Sequence, residues 1–169
     1  MSGIDPTQLA EWFEALGPGL VLYARQWVDA SLAEDVVQET FARLMTQPRP
    51  PDSAKAWLYR CVRNAAIAMA RTDRRRGRRL EQVAREVSPI FDAVPADLLD
   101  AAAVQQALEG LEEDRREVVV LKVWGDLTLR EIAAVTGRAV STLSHQYRSA
   151  LDEIRKRMGE PCRTNTKKD

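Results

Sequence analysis

The chain has little of what would staple a fold, cross a membrane or run a reaction. Its two cysteines, Cys61 and Cys162, stand far apart in 169 residues with no CxxC spacing and no histidine partner. That excludes a disulfide framework and a zinc site. The one histidine, His145, has no acid or nucleophile at motif spacing, and no phosphate-binding glycine loop appears, so neither an enzyme nor a cofactor is expected. Eight glycines, eight prolines and few β-branched runs argue against a β-sandwich. No stretch approaches ~18 consecutive apolar residues, so no membrane insertion is expected. Asp5, Glu11 and Glu14 precede the first basic residue, Arg25, which is the wrong polarity for a secretory signal. The expectation is a soluble, cytoplasmic protein.

What is present is charge, and it is segregated. The 25 basic and 25 acidic side chains cancel, but not locally. Residues 1–54 carry 3 basic and 8 acidic groups, and residues 55–85 carry 10 and 2. Residues 86–127 carry 3 and 10, and residues 128–169 carry 9 and 5. Two basic segments able to meet a polyanion therefore alternate with two acidic ones free to face something else.

Capping signals predict an all-α chain. Asp5-Pro6 opens a first helix, which Gly17-Pro18-Gly19 is expected to stop near Leu16, with a second helix over about 20–29. Ser31 to Glu34 reads as a capping box for a helix to about Met45, and Asp52 or Ser53 as the cap of a long helix over 54–76. Residues 79–103 read as a linker with a short helical stretch at 79–86. Helices are expected again at 102–110, 113–124, after Thr128, and at 141–158. The architecture so predicted is two small helical domains joined by a flexible linker: 1–78, linker 79–103, 104–158, and a flexible tail 159–169.

Three constellations stand out. In the last segment, Leu129, Ile132, Ala133 and Val135 precede Gly137, and Leu143, Tyr147, Ala150 and Ile154 follow at helical spacing. This is a helix-turn-helix pattern. The opposite face of its second helix carries Thr142, Ser144, His145, Gln146, Arg148 and Ser149, short donors and acceptors suited to a major groove. In the helix at 54–76, Leu58, Val62, Ala65 and Met69 form a core stripe. Arg60, Arg63, Asn64, Ile67, Arg71, Arg74 and Arg75 point elsewhere, and so many guanidiniums fit phosphates. Trp57 and Tyr59 sit beside them, as aromatics do that stack unpaired bases, although one ring could equally belong to the core. In the helix at 32–45, Glu34, Asp35, Gln38 and Glu39 form an acidic ridge opposite Val37, Phe41 and Leu44.

Together these residues resemble a known family. Ala33 to Phe41 (AEDVVQETF) is similar to the most recognisable segment of domain 2 of the sigma-70 initiation factors. Ala56 to Asn64 (AWLYRCVRN), with the arginines after it, resembles the −10-reading helix of the extracytoplasmic-function group. Leu108 to Arg157 is similar to sigma domain 4, with Arg116-Glu117, Leu129 to Ala133 and Ser141 to Leu143 in the family's order. The likeness spans about residues 18–158, and the length points to the two-domain group, so the further domains of larger sigma factors are not expected.

The resemblance implies a transcription initiation factor that takes core RNA polymerase to promoters. Asp35, Gln38, Glu39 and Arg43 would dock on core polymerase, the ridge on its β-prime subunit, with the β subunit a further partner. Trp57, Tyr59, Arg60, Arg63, Asn64, Ile67, Arg71, Arg74 and Arg75 would bind and melt the −10 element. Arg130, Ser141, Thr142, Ser144, His145, Gln146, Arg148 and Ser149 would read the −35 element. An anti-sigma partner could mask these surfaces. The alternative is a stand-alone helix-turn-helix regulator of duplex DNA, which accounts for the last segment only. The chain departs from the family at Ala68, where an aspartate is common, at Glu112, where a proline is, and at His145, where a small residue is. Ser144 and Gln146 stand where a lysine and an arginine are usual. Since glutamine pairs bidentately with adenine, the residue type at Gln146 predicts a −35 sequence read less through guanine.

Overall fold

Residues 4–77 and 101–159 are described by the structure, a computed structural model, and among them helices are the only regular secondary structure. The helices are α1 (Pro6–Ala24), α2 (Ala30–Met45), α3 (Ala54–Gly77), α4 (Ala101–Glu109), α5 (Glu113–Val123), α6 (Leu129–Thr136) and α7 (Val140–Arg157). The expected helical stretch at 79–86, Cys162 and most of the expected tail lie outside the described residues. So does the expected linker up to residue 100, and its last three positions, 101–103, open α4.

Two expected boundaries differ. Gly17-Pro18-Gly19 does not end the first helix: α1 continues through Pro18 to Ala24. A proline inside a helix removes one backbone bond and costs about 3 kcal/mol. Pro18 is exposed, however, where water can serve the orphaned carbonyl, while Leu20, Tyr23 and Ala24 just beyond it are fully buried. Tertiary burial outweighs the local penalty. The separate helix expected over about 20–29 does not form, since residues 20–24 belong to α1 and 25–29 make the turn into α2. Helix α2 starts earlier than Ser31 predicts, because the Leu32 N–H donates to the Asp29 side chain at 2.9 Å. Other caps stand where expected. The Ala56 N–H donates to Ser53 Oγ at 3.2 Å, and Thr128 and Glu131 form a reciprocal capping box.

The first module is α1 packed on α2 and α3; in the second, α5 and α6 pack on α7, with α4 alongside. The modules also pack on each other, α3 lying along α6 and α1 touching α5. One buried cluster runs through both, from Leu20, Phe41, Leu58 and Val62 to Val118, Leu127, Ile132 and Leu143. A smaller one joins Leu108, Leu111, Val119 and Ala150. Helix α3 is central, so its apolar face is wider than the expected stripe. Leu58 and Val62 are buried as predicted and Ala65 and Met69 half-buried, while Tyr59, Ala66 and Ala70 form a second buried row. Among the described residues, no helix is long and apolar enough to cross a membrane.

Candidate nucleic-acid interface

Helix α6 ends at Gly137, whose φ of 74° is left-handed and favours glycine. The turn lets α7 pack back on α6, with Leu143 and Ala150 fully buried and Tyr147 and Ile154 half-buried. Burying a side chain such as Leu143 contributes about 2 kcal/mol. The outer face of α7 is what the pattern predicts. Ser141, Thr142, His145 and Arg148 are exposed, as is Arg130 on α6, while Ser144, Gln146 and Ser149 are half-buried. Arg148 Nη2 donates to Ser144 Oγ at 3.0 Å. Beside them His145, Arg148 and Lys156 face Arg115 across an open groove that also holds Asp152 and Glu153.

On α3, Arg60, Asn64, Arg71, Arg74 and Arg75 are exposed, and Trp57 and Ile67 half-buried. Two neighbours on the helix behave differently. Tyr59 is 1% exposed, its ring centroid 5.5 Å from that of Tyr23, and burial pushes its phenol well above the ordinary value. In this arrangement it is a core residue and cannot stack on a base. The reason is its position on the side of α3 that faces α1 and the second module. Arg63, one turn later, is turned toward the same junction.

There Arg63 meets Glu117 of α5. Glu117 is 1% exposed and accepts from Arg63 Nε at 2.6 Å and from Tyr23 Oη at 2.7 Å, both through Oε1. Its Oε2 accepts from Arg138 Nη2. Burial alone would lower the Arg63 guanidinium, but the adjacent carboxylate more than reverses this and raises it. Burial, then the Glu117 charge and hydrogen bond, hold the Tyr23 hydroxyl well above its ordinary value, against smaller opposing effects of the two arginines. At the edges of the junction, Trp27 Nε1 donates to Glu113 at 2.8 Å and Lys55 Nζ to the Asp126 carbonyl at 2.6 Å.

Sequence reasoning did not identify this polar centre. Its one visible trace was an acid opening the apolar run Glu117 to Leu121, since such an acid needs partners when buried. Nothing local marked Tyr23 or Arg138 as those partners.

The acidic ridge is where it was expected. Glu34, Asp35, Gln38, Glu39 and Arg43 are exposed on α2, opposite buried Val36, Val37, Phe41 and Leu44. Among the described residues, Asp35 and Glu39 enter no ion pair within the chain. Cys61 is half-buried on α3, and burial, opposed by Arg43 and Arg60, raises its thiol.

Comparison with known proteins adds to this geometry. The model of sigma-70 region 2 matches residues 12–76, and that of sigma-70 region 4 matches residues 101–154. The chain is 29% identical to the ECF RNA polymerase sigma factor RpoE of Cereibacter sphaeroides, over 91% of this chain and 88% of that one. It is 30% identical to the RNA polymerase sigma-E factor of Streptomyces antibioticus, over 83% and 75%. Among solved structures, its fold is similar to that of the sigma factor RpoE from Bartonella quintana in complex with the anti-sigma factor NepR. The TM-score is 0.75 at 22% identity, covering 92% and 98% of the two chains. CnrH in complex with the cytosolic domain of CnrY gives 0.62 at 24%, covering 92% and 90%.

Proposed function

Since the chain belongs to the extracytoplasmic-function sigma factors of the sigma-70 family, a family of initiation factors rather than enzymes that direct RNA polymerase to promoters, we propose how its surfaces divide that work. Residues 1–78 dock on core polymerase and open the −10 element. Residues 104–158, with 101–103 that open α4, read the −35 element. Residues 79–100 connect the two, and 159–169 form a tail. The protein works in the cytoplasm, where its partners are core polymerase and promoter DNA.

Asp35, Gln38, Glu39 and Arg43 meet the β-prime subunit, with the β subunit contacting the second module. Arg60, Asn64, Arg71, Arg74 and Arg75 follow the phosphates and the melted strand, and Trp57 and Ile67 line its path. Arg63 joins them only once α3 separates from Glu117 of α5, whereas Tyr59 stays in the core against Tyr23 of α1. The second module uses Arg130, Ser141, Thr142, Ser144, His145, Gln146, Arg148 and Ser149. An anti-sigma partner fits this reading, because the sigma factor RpoE, to which the fold is similar, was solved in complex with the anti-sigma factor NepR.

The observation that carries the proposal is the segregation of exposed charge: an acidic ridge on α2 whose Asp35 and Glu39 enter no ion pair among the described residues, and a run of exposed arginines on α3. Charge reversal at Asp35 and Glu39 together tests it. The double variant is expected to keep its helical circular dichroism and lose about tenfold in competition for core polymerase. Normal competition would remove the docking assignment. Run-off transcription on a promoter library should require core enzyme, whereas a stand-alone regulator would shift duplex DNA unaided.

A further inference from the structure

We propose that Arg138, in the turn between α6 and α7, is a specificity-determining residue that makes Gln146 a donor-only reader of the −35 element. The proposal rests on α7 being the major-groove helix. Arg138 lies directly after the left-handed Gly137, where the chain turns back toward α5. Its Nη1 donates to Gln146 Oε1 at 2.9 Å and to the Asp114 carbonyl at 3.1 Å. Its Nη2 donates to Glu117, and Asp114 Oδ1 stands 3.7 Å from Nη1. The side chain is 17% exposed. Its charge is thus matched by two carboxylates, and it is not poised as a phosphate contact.

A guanidinium offers donors alone, so the Gln146 amide can face it only with its oxygen. That fixes the carboxamide with Oε1 inward and Nε2 outward. Bidentate pairing with adenine needs both atoms on one base edge, the oxygen for the N6 amino group and the nitrogen for N7. With the oxygen held inward by Arg138, the outward NH2 can still donate to adenine N7, but it no longer has an acceptor for adenine N6 beside it. Guanine, with N7 and O6, and thymine, with O4, present acceptors with no donor alongside and suit it better. The adenine preference expected from residue type alone is therefore reversed by a neighbour eight positions away. Asp114, Glu117, Arg138 and Gln146 all belong to α5–α7, so separation of the modules removes Arg63 from Glu117 but leaves the Arg138–Gln146 bond in place.

The test uses holoenzyme assembled from core polymerase and the full chain, transcribing a library randomised across the −35 element. With the wild-type chain, one position should select guanine or thymine, and Gln146→Ala should relax it. Arg138→Met should shift that position toward adenine by about tenfold, and the double variant should show neither preference. Adenine selected by the wild type at the position that Gln146→Ala relaxes would overturn the role of Arg138 alone. An unchanged preference in a folded Arg138→Met chain would do the same. If Arg138→Met fails to fold, the wild type and Gln146→Ala decide the matter by themselves. No change anywhere with Gln146→Ala would overturn the placement of Gln146 in the groove, and the proposal with it.

Discussion

Arg63 of α3 and Glu117 of α5 form a 2.6 Å ion pair across the junction of the two helical modules, and Glu117 is almost wholly shielded from water. A guanidinium from the helix assigned to the −10 element is thereby committed to the module assigned to the −35 element. While the modules stay together, Arg63 is unavailable to nucleic acid. In the proposed contact of Arg63 with DNA, phosphates would have to replace the carboxylate.

Removing the carboxylate alone leaves two largely buried guanidiniums and a buried phenol without their acceptor. Breaking a buried pair from one side is strongly destabilising, whatever the intact pair contributes on balance. Glu117→Ala is therefore expected to lower unfolding stability by about 3 kcal/mol, read from the urea midpoint. Glu117→Gln, which still accepts from Tyr23 or Arg63, should lose less. Equal stability of Glu117→Ala and wild type would contradict the network.

Gly19 marks a second point of close approach. A Cβ there would lie 2.6 Å from Tyr59 Oη and 3.3 Å from the Trp124 carbonyl oxygen, so α1 would have to move off both α3 and the end of α5. Gly19→Ala should destabilise by about 1–3 kcal/mol. Tyr59→Phe in the same chain removes the nearer obstacle and should recover part of the loss. Thermal melts of the four chains in that cycle measure the coupling, and strict additivity would show that the contact is absent.

Alkaline pH should open the same junction. Tyr23 and Tyr59 both have hydroxyls raised above their ordinary value, chiefly by burial. A raised acid favours the fold in its neutral form, so this stability is complete below the unfolded phenol value of about 10 and is lost as pH rises beyond it. Tyrosinate absorbance should then show two of the chain's three tyrosines ionising only together with loss of helical signal. Early ionisation of all three in a folded chain would contradict their burial.

The cap of α6 has the opposite dependence. The Glu131 carboxyl is held below its ordinary value mainly by the Thr128 backbone N–H, which donates to it at 2.7 Å. Its contribution is present above the unfolded value of about 4.3 and fades as pH falls through the lower, folded one. Thr128→Ala should cost about 1 kcal/mol at neutral pH. The stability gap between wild type and Glu131→Gln should close in acid. Urea titrations at pH 7 and pH 3 measure both.

Much of this structure was legible because its signals are local. Thr128 with Glu131, Ser53 before Ala54, and Gly137 after Thr136 place helix ends by chemistry that needs no distant partner. The exposed faces of α2 and α7 followed from helical periodicity. Wherever the outcome depended on a second element, the reading fell short. Pro18 and its glycines look like a stop until the burial of Leu20 and Tyr23 is known. Tyr59 and Arg63 look like DNA contacts until α1 and α5 cover their side of α3. Gln146 looks like an adenine reader until Arg138 takes its oxygen. Each partner lies outside the sequence window in which the residue was judged.

Helix α6 has two masters. Ile132 and Val135 belong to the same continuous interior as Val62 and Ala66 of α3, so the support beneath the proposed −35 reader is shaped in part by a helix proposed to serve another stretch of promoter. Redesign of one half for a new target inherits this constraint. Grafting the second module onto a foreign first module would expose or clash that shared surface unless the α3 side were transplanted with it.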